Sequence, residues 1–300
     1  MSTVFIAGAG CSRGTLDGHE CLRPPIAKDF VTDLKSRVPE WAVEYPEISK
    51  VVEYLKKTTQ HIGLEELWTC IDLHAKFPEA FPIPWTPRGQ VVWELKRLLV
   101  RLYGRTCDAL ADDVSESDCS TVAAIARRIE TGDSLISFNY DTVVERVVKN
   151  LSGKMLRHGK DLRPGTIRFA KPHGSASWII RNLNYRLSDG EPIWDSVTEA
   201  DVKLGTDPLL LGAVPLKSEL IFEVQEYYRA IRVFEVIREQ WRTLANAVAT
   251  AERIVVLGYS FPKEDTYGRF FFREGMSMRT PLDLPLHVDF YSLSGDQKAN

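Results

Sequence analysis

The sequence predicts an α/β fold in which a mostly parallel sheet is flanked by helices and carries a helical insertion. Two patterns indicate this fold. Short apolar runs with the length of buried strands end in polar or glycine-rich turns, and amphipathic segments follow them. A long block with helical spacing of its apolar residues separates the first of these strands from the second. Because alternating strands and helices are typical of a parallel sheet, we expect one α/β core interrupted by helices.

The core begins with a strand at residues 3–7 that runs into the sequence GAGCS. The two glycines, Gly8 and Gly10, allow a sharp turn and let a phosphate approach the amides at the start of the next helix. A full dinucleotide-binding fingerprint needs a third glycine where Arg13 stands, so this motif alone is weak. Residues 14–26 are rich in Gly, Pro and polar side chains, which predicts a loop over the site.

The helical block predicts the domain organisation. Residues 1–300 are expected to form one domain, in which residues 1–30 and 131–300 build the core and residues 31–130 form a helical insertion. Apolar residues recur with helical spacing on one face of several segments of this block. The last and most regular of these faces contains Val91, Val92, Leu95, Leu98, Leu99 and Leu102.

The stretch SLISFNYD, residues 134–141, predicts a buried strand followed by a polar elbow and a helix. In open α/β sheets, ligands bind beyond the carboxyl ends of the strands, where Asn139 and Asp141 are expected to lie. These side chains are therefore candidates for contact with a ligand. The alternative is that one of them caps the following helix.

Two further strands are expected to end in polar clusters. Residues 166–170 lead into KPHGS, which places His173 at a strand end, where its near-neutral pKa suits proton transfer. Residues 253–257 lead into GYSFP, and Asp265 follows shortly after. His173 is equally consistent with a structural role if its neighbours are ignored.

Composition excludes several classes of protein. A net charge of −3 and a pI near 6.1 give no broad attraction to nucleic acid or to anionic lipid. The five cysteines include no C-x-x-C pair, so neither a zinc ribbon nor a disulfide framework is predicted. No apolar run approaches the roughly 20 residues that span a bilayer. We therefore expect a cytoplasmic protein that binds neither nucleic acid nor membrane directly.

The ordered motifs GAGCS, FNYD, KPHGS and GYSFP with Asp265 together resemble the sirtuin-like family of Rossmann-like NAD-binding domains. The resemblance is to its prokaryotic branch, several members of which hydrolyse NAD as effectors of antiviral defence. It implies that Asn139 and His173 are catalytic. It also implies a set of residues that bind the dinucleotide, namely Gly8, Ala9, Gly10, Cys11, Ser12, Asp141, Gly174, Gly258, Tyr259, Ser260 and Asp265.

Departures from the family pattern bear on activity. Deacetylating sirtuins carry a four-cysteine zinc module that has no counterpart here, and Phe138 stands where they have glutamine. The resemblance thus implies an NAD+ hydrolase that uses NAD as its substrate and needs no zinc. An NAD-dependent protein deacylase and a non-catalytic NAD or ADP-ribose sensor remain alternatives. Control by homo-oligomerisation, or by a regulatory ATPase or Argonaute-like partner, is expected from the same resemblance.

Overall fold

The computed structural model describes a large part of the 300-residue chain. The described residues are 2–15, 30–59, 62–76, 90–91, 94–95, 97–99, 101–103, 120–158, 164–175, 178–180, 197–199, 238–263, 265–279 and 286–291. Most of the loop predicted over the site, residues 16–26, lies outside them. Its first two residues, Gly14 and Thr15, belong instead to the first helix.

Within the described residues, six parallel strands form one sheet. They are β1 (Thr3–Ala7), β2 (Ser134–Ser137), β3 (Met155–Arg157), β4 (Thr166–Ala170), β7 (Arg253–Leu257) and β8 (His287–Tyr291). Their order across the sheet is β3-β4-β2-β1-β7-β8. Two short strands, β5 (Trp178–Ile180) and β6 (Val197–Glu199), form a separate antiparallel pair. The predicted α/β, Rossmann-like fold is confirmed.

The helices follow the predicted amphipathic segments. Those with defined bounds are α1 (Ala9–Thr15), α2 (Phe30–Arg37), α3 (Trp41–Glu44), α4 (Pro46–Leu55), α5 (Leu64–Lys76), α7 (Ser120–Arg128), α8 (Val143–Ser152) and α10 (Thr266–Ser277). The described residues between 90 and 103 are also helical and are called α6, and residues 238–250 form α9. Gly153 ends α8 with φ 65°, the left-handed conformation expected of a glycine at that position.

Helices cover both faces of the sheet. On one face, α7 and α8 pack on alternate strand residues such as Phe5 and Leu135. On the other face, α9 and α10 pack on the intervening residues, among them Ile6 and Ile136. This division follows from the two-residue repeat of a strand, which sends successive side chains to opposite faces.

The described residues of α2 to α6 form a helical unit with its own apolar core. Tyr140, from the elbow after β2, also belongs to that core and so joins the helical unit to the sheet. Helix α7 lies inside the range predicted as the insertion, 31–130, yet it packs on the sheet through Val122 and Ile125. Since α7 leads directly into β2, its apolar face is needed to cover the sheet. No helix in the described part of the chain is long and apolar enough to cross a membrane.

Candidate functional site

The four predicted motifs meet at the carboxyl ends of β1, β2, β4 and β7. Strand β1 lies in the middle of the sheet, between β2 and β7. Strands β2, β3 and β4 all lie on one side of β1, and β7 and β8, which follow them in the chain, lie on the other side. The gap between β1 and β7 is therefore the point at which the strand order reverses. Open α/β sheets bind their ligands in the crevice at such a point.

The turn after β1 and the turn after β7 are in direct backbone contact. The amide of Gly8 donates to the carbonyl of Leu257 over 2.9 Å, and the amide of Gly10 donates to the carbonyl of Gly258 over 3.0 Å. Gly258 has φ 60°, and a Cβ atom there would lie 2.1 Å from the amide nitrogen of Cys11. The two turns can therefore approach this closely only because residue 258 is a glycine.

Replacing Gly258 by alanine is expected to lower the free energy of unfolding by roughly 2–4 kcal/mol, the sum of an overpacked backbone contact and a left-handed alanine. The matched control is Gly153→Ala, because Gly153 has φ 65° and nothing within 4 Å of the added Cβ. Urea unfolding of both variants separates the two costs. Equal losses for both variants would show that the contact with Cys11 contributes nothing.

Asn139 is held in one orientation by its carboxamide nitrogen. Its Nδ2 donates to the carbonyl oxygen of Gly8 over 2.9 Å and to Oγ of Ser12 over 2.7 Å. The residue is only 4% exposed, and among the described residues its Oδ1 has no hydrogen-bond partner. A buried acceptor without a partner is costly, so this oxygen is suited to receive a hydrogen bond from a ligand or a bound water.

Asp141 holds the Ser12 hydroxyl that bonds to Asn139. Its Oδ1 accepts hydrogen bonds from Oγ of Ser12 over 2.9 Å and from the amide of Val143 over 3.0 Å. Burial raises the pKa of Asp141, and the charge of Lys171 opposes that rise. Asp141 therefore bonds to the first residue of α8, although the N-cap position itself is occupied by Thr142 without a side-chain capping bond. The side chain of Asn139 does not cap α8 and bonds instead to the β1 turn.

Lys171 forms a buried ion pair behind the site. Its Nζ lies 2.5 Å from Oε1 of Glu145 and donates to the carbonyl of Asp141 over 2.5 Å. The backbone amide of Lys171 donates to Oε1 of Gln240 over 2.8 Å. These bonds connect the turn after β4 to the elbow after β2, to α8 and to α9.

His173 is paired with Asp265. Its Nε2 lies 2.9 Å from Oδ2 of Asp265, and the Tyr259 hydroxyl donates to the same oxygen over 2.5 Å. The other carboxylate oxygen of Asp265 accepts from the amide of Gly268 at the start of α10. The structure thus brings the predicted residues of the β4 and β7 turns into one hydrogen-bonded group.

Aromatic rings surround the imidazole of His173. Ring centroids of Phe138, Trp241 and Tyr140 lie 5.1, 5.6 and 6.1 Å from its own. Phe138 also stacks on Tyr259 at 4.1 Å with an angle of 2° between the rings. The His173 side chain is 14% exposed, so aromatic rings shield most of the imidazole from solvent.

Sequence reasoning missed three residues of this group. Helical spacing indicates only that Trp241 lies on an apolar helix face, and Tyr140 and Lys171 stand inside the motifs without being candidate residues. The sequence places Tyr140 directly after Asn139, and the structure shows that both neighbours of Asn139 contact His173. Nothing in the sequence indicated that Lys171 pairs with Glu145.

The remaining predicted residues occupy different places. Cys11 is fully buried, and burial together with Asp141 raises its thiol pKa to about 12, so the thiol stays protonated near neutral pH. Ala9 begins α1. Gly174 turns the chain with φ 82°. Ser260 is exposed, and in the described structure no side-chain hydrogen bond ties it to the other site residues.

The described residues contain no group of three or more His, Cys, Asp or Glu side chains arranged to hold a metal ion. Comparison with known proteins gives no assignment. No protein-family model matches the sequence, and no curated protein matches it significantly. The function is therefore argued from the site itself.

Proposed function

We propose that this domain is an NAD+ hydrolase that cleaves the bond between nicotinamide and ribose and releases nicotinamide and ADP-ribose. The observation that carries the proposal is the buried Oδ1 of Asn139, a fixed acceptor without a partner among the described residues. It belongs to an elbow whose two flanking rings, Phe138 and Tyr140, contact the imidazole of His173. The choice of NAD as the substrate comes from the resemblance of the four motifs to sirtuin-like domains.

The chemistry requires the loss of a neutral leaving group from a cationic precursor. The C1′–N bond breaks with both electrons passing to nicotinamide, and an oxocarbenium ion develops on the ribose. A water oxygen then forms a bond to C1′ and loses one proton. Enzymes favour such a reaction by placing the nucleophile and by arranging dipoles around the developing charge.

Each residue has a defined role in this proposal. Asn139 Oδ1 accepts a hydrogen bond from a ribose hydroxyl or from the attacking water. His173 acts as the base that receives the proton. The turn from Gly8 to Ser12 holds the pyrophosphate through its backbone amides. Asp141 positions Ser12 and, through it, Asn139, because its buried Oδ1 accepts from the Ser12 hydroxyl, whose oxygen accepts in turn from Asn139.

The biological setting proposed from the same resemblance is a cytoplasmic antiviral effector. Unrestrained NAD hydrolysis would deplete the host cell, so the activity needs control. Assembly of several copies, or an ATPase or Argonaute-like partner, would provide it. The helical unit is the surface we propose for that contact, since Tyr140 connects its core to the rings around His173.

Incubation of the purified protein with NAD, with and without an acetyl-lysine peptide, tests the proposal. We expect free nicotinamide and ADP-ribose in equal amounts with NAD alone. Nicotinamide that forms only with the peptide would instead identify a deacylase. Measurable NAD binding without nicotinamide release under either condition would identify a sensor.

A further inference from the structure

Asp265 contacts His173, which the resemblance does not predict. The motif comparison groups this aspartate with residues that bind the dinucleotide. In the structure Asp265 is only 5% exposed, and its Oδ2 lies 2.9 Å from Nε2 of His173. The carboxylate therefore faces the imidazole.

We propose that Asp265 is a positioning residue for His173. It orients the imidazole through Nε2, directs proton exchange with the substrate to Nδ1, and stabilises the imidazolium that forms when His173 accepts a proton. A carboxylate bonded to one nitrogen of a catalytic histidine fixes the ring and its tautomer in this way. This inference rests on the proposed hydrolase function, because it concerns the base of that reaction.

The carboxylate of Asp265 is itself held rigidly. The Tyr259 hydroxyl donates to Oδ2, and the amide of Gly268 donates to Oδ1 at the first turn of α10. Burial raises the pKa of Asp265, but the charge and hydrogen bond of His173, aided by these two donors, outweigh it and hold that pKa well below its usual range. Asp265 is therefore held in its charged form while His173 carries the proton that it has accepted.

The described aromatic groups around the imidazole do not replace this charge. Phe138 and Trp241 contact the ring without an ionisable group, and Tyr140 lies with its ring centroid 6.1 Å away. Lys171, two residues earlier in the chain, has its ammonium group bonded to Glu145 and to the carbonyl of Asp141. Asp265 is the negative group that touches a ring nitrogen.

The kinetic test compares Asp265→Asn with Asp289→Asn for nicotinamide release between pH 5 and pH 9. Asp289 is a matched control because it pairs with Arg253 on β7, outside the site. We expect Asp265→Asn to lower kcat by about 10²-fold, within the range of general base catalysis, and to leave the NAD Kd nearly unchanged. The limb of the pH profile on which the rate rises should move to lower pH, because His173 without a carboxylate partner loses its proton more easily.

The control variant should reproduce the wild-type kcat and pH profile. An Asp265→Asn variant with wild-type kcat, or one that only weakens NAD binding, would overturn the proposal. Weaker NAD binding with an unchanged kcat would indicate instead that Asp265 binds the dinucleotide.

A measurement without turnover separates this inference from the hydrolase proposal. Titration of the His173 Cε1 proton by NMR should show a midpoint about 1 pH unit or more lower in Asp265→Asn than in the wild type. In Tyr259→Phe the midpoint should rise, because the carboxylate loses a donor that competes with His173. An unchanged midpoint in Asp265→Asn contradicts the positioning role. A lowered midpoint in a protein that releases no nicotinamide supports the positioning of His173 while the hydrolase proposal fails.

Discussion

Replacing Asn139 by alanine is expected to remove most of the nicotinamide release. The substitution removes the buried Oδ1 that we assign to the ribose hydroxyl or the attacking water. It also removes both hydrogen bonds from Nδ2, to Gly8 and to Ser12. Loss of a group that places the nucleophile or stabilises the developing charge lowers the rate by about 10²–10³-fold, so a loss of that size is expected. The measurement is the rate of nicotinamide release at saturating NAD.

Controls must separate lost catalysis from lost folding. The two lost hydrogen bonds cost about 1–3 kcal/mol, and a core of this size should tolerate that. Circular dichroism and urea unfolding of Asn139→Ala check this directly. Asn150→Ala is the matched control, because Asn150 is exposed near the end of α8 and should leave the rate unchanged. His173→Ala should lose activity to a similar degree, and wild-type rates in either site variant would refute the assignment.

Replacing Lys171 by methionine is expected to lower the free energy of unfolding by about 3–5 kcal/mol. Methionine fills much of the same volume, yet it leaves the buried carboxylate of Glu145 without the ammonium group 2.5 Å away. It also removes the donor to the carbonyl of Asp141. An unpaired buried charge is among the few single changes that destabilise a protein by this much. Urea unfolding at neutral pH measures the loss.

A double variant tests the cause of that loss. Adding Glu145→Gln to Lys171→Met removes the unpaired charge and should recover a substantial part of the stability. Lys149→Met is the control, since Lys149 lies exposed on α8, the helix that carries Glu145. This substitution should change the free energy of unfolding by no more than about 0.5 kcal/mol. If the double variant is no more stable than Lys171→Met alone, the loss comes from packing or from the lost bond to Asp141 and not from the unpaired charge.

The convergence of the site could be predicted from the sequence because carboxyl ends of parallel strands share one edge of a sheet. That rule alone places Asn139, His173 and Gly258 at the same edge once their strands are recognised. The strand order could not be predicted, since a run such as residues 253–257 is equally apolar beside β1 or elsewhere. The contact between Gly10 and Gly258 depends on that order.

Contacts made by side chains far apart in sequence could not be predicted. A helical period shows that Trp241 is on an apolar face, but not that its ring packs against the imidazole of His173. The same ambiguity affects α7, whose pattern fits a helix in the insertion as well as one on the sheet. The ion pair of Lys171 and Glu145 joins two charged residues that surface statistics would place in solvent.

The most direct test of the central claim is a time course of free nicotinamide from wild-type protein and NAD alone, repeated over a range of protein concentrations. Asn139→Ala defines the baseline. We predict multiple turnovers that yield nicotinamide and ADP-ribose in equal amounts, with a rate per molecule that rises with concentration if assembly activates the protein. Wild-type protein that stays at the Asn139→Ala baseline at every concentration, although it binds NAD, would contradict hydrolysis by this domain.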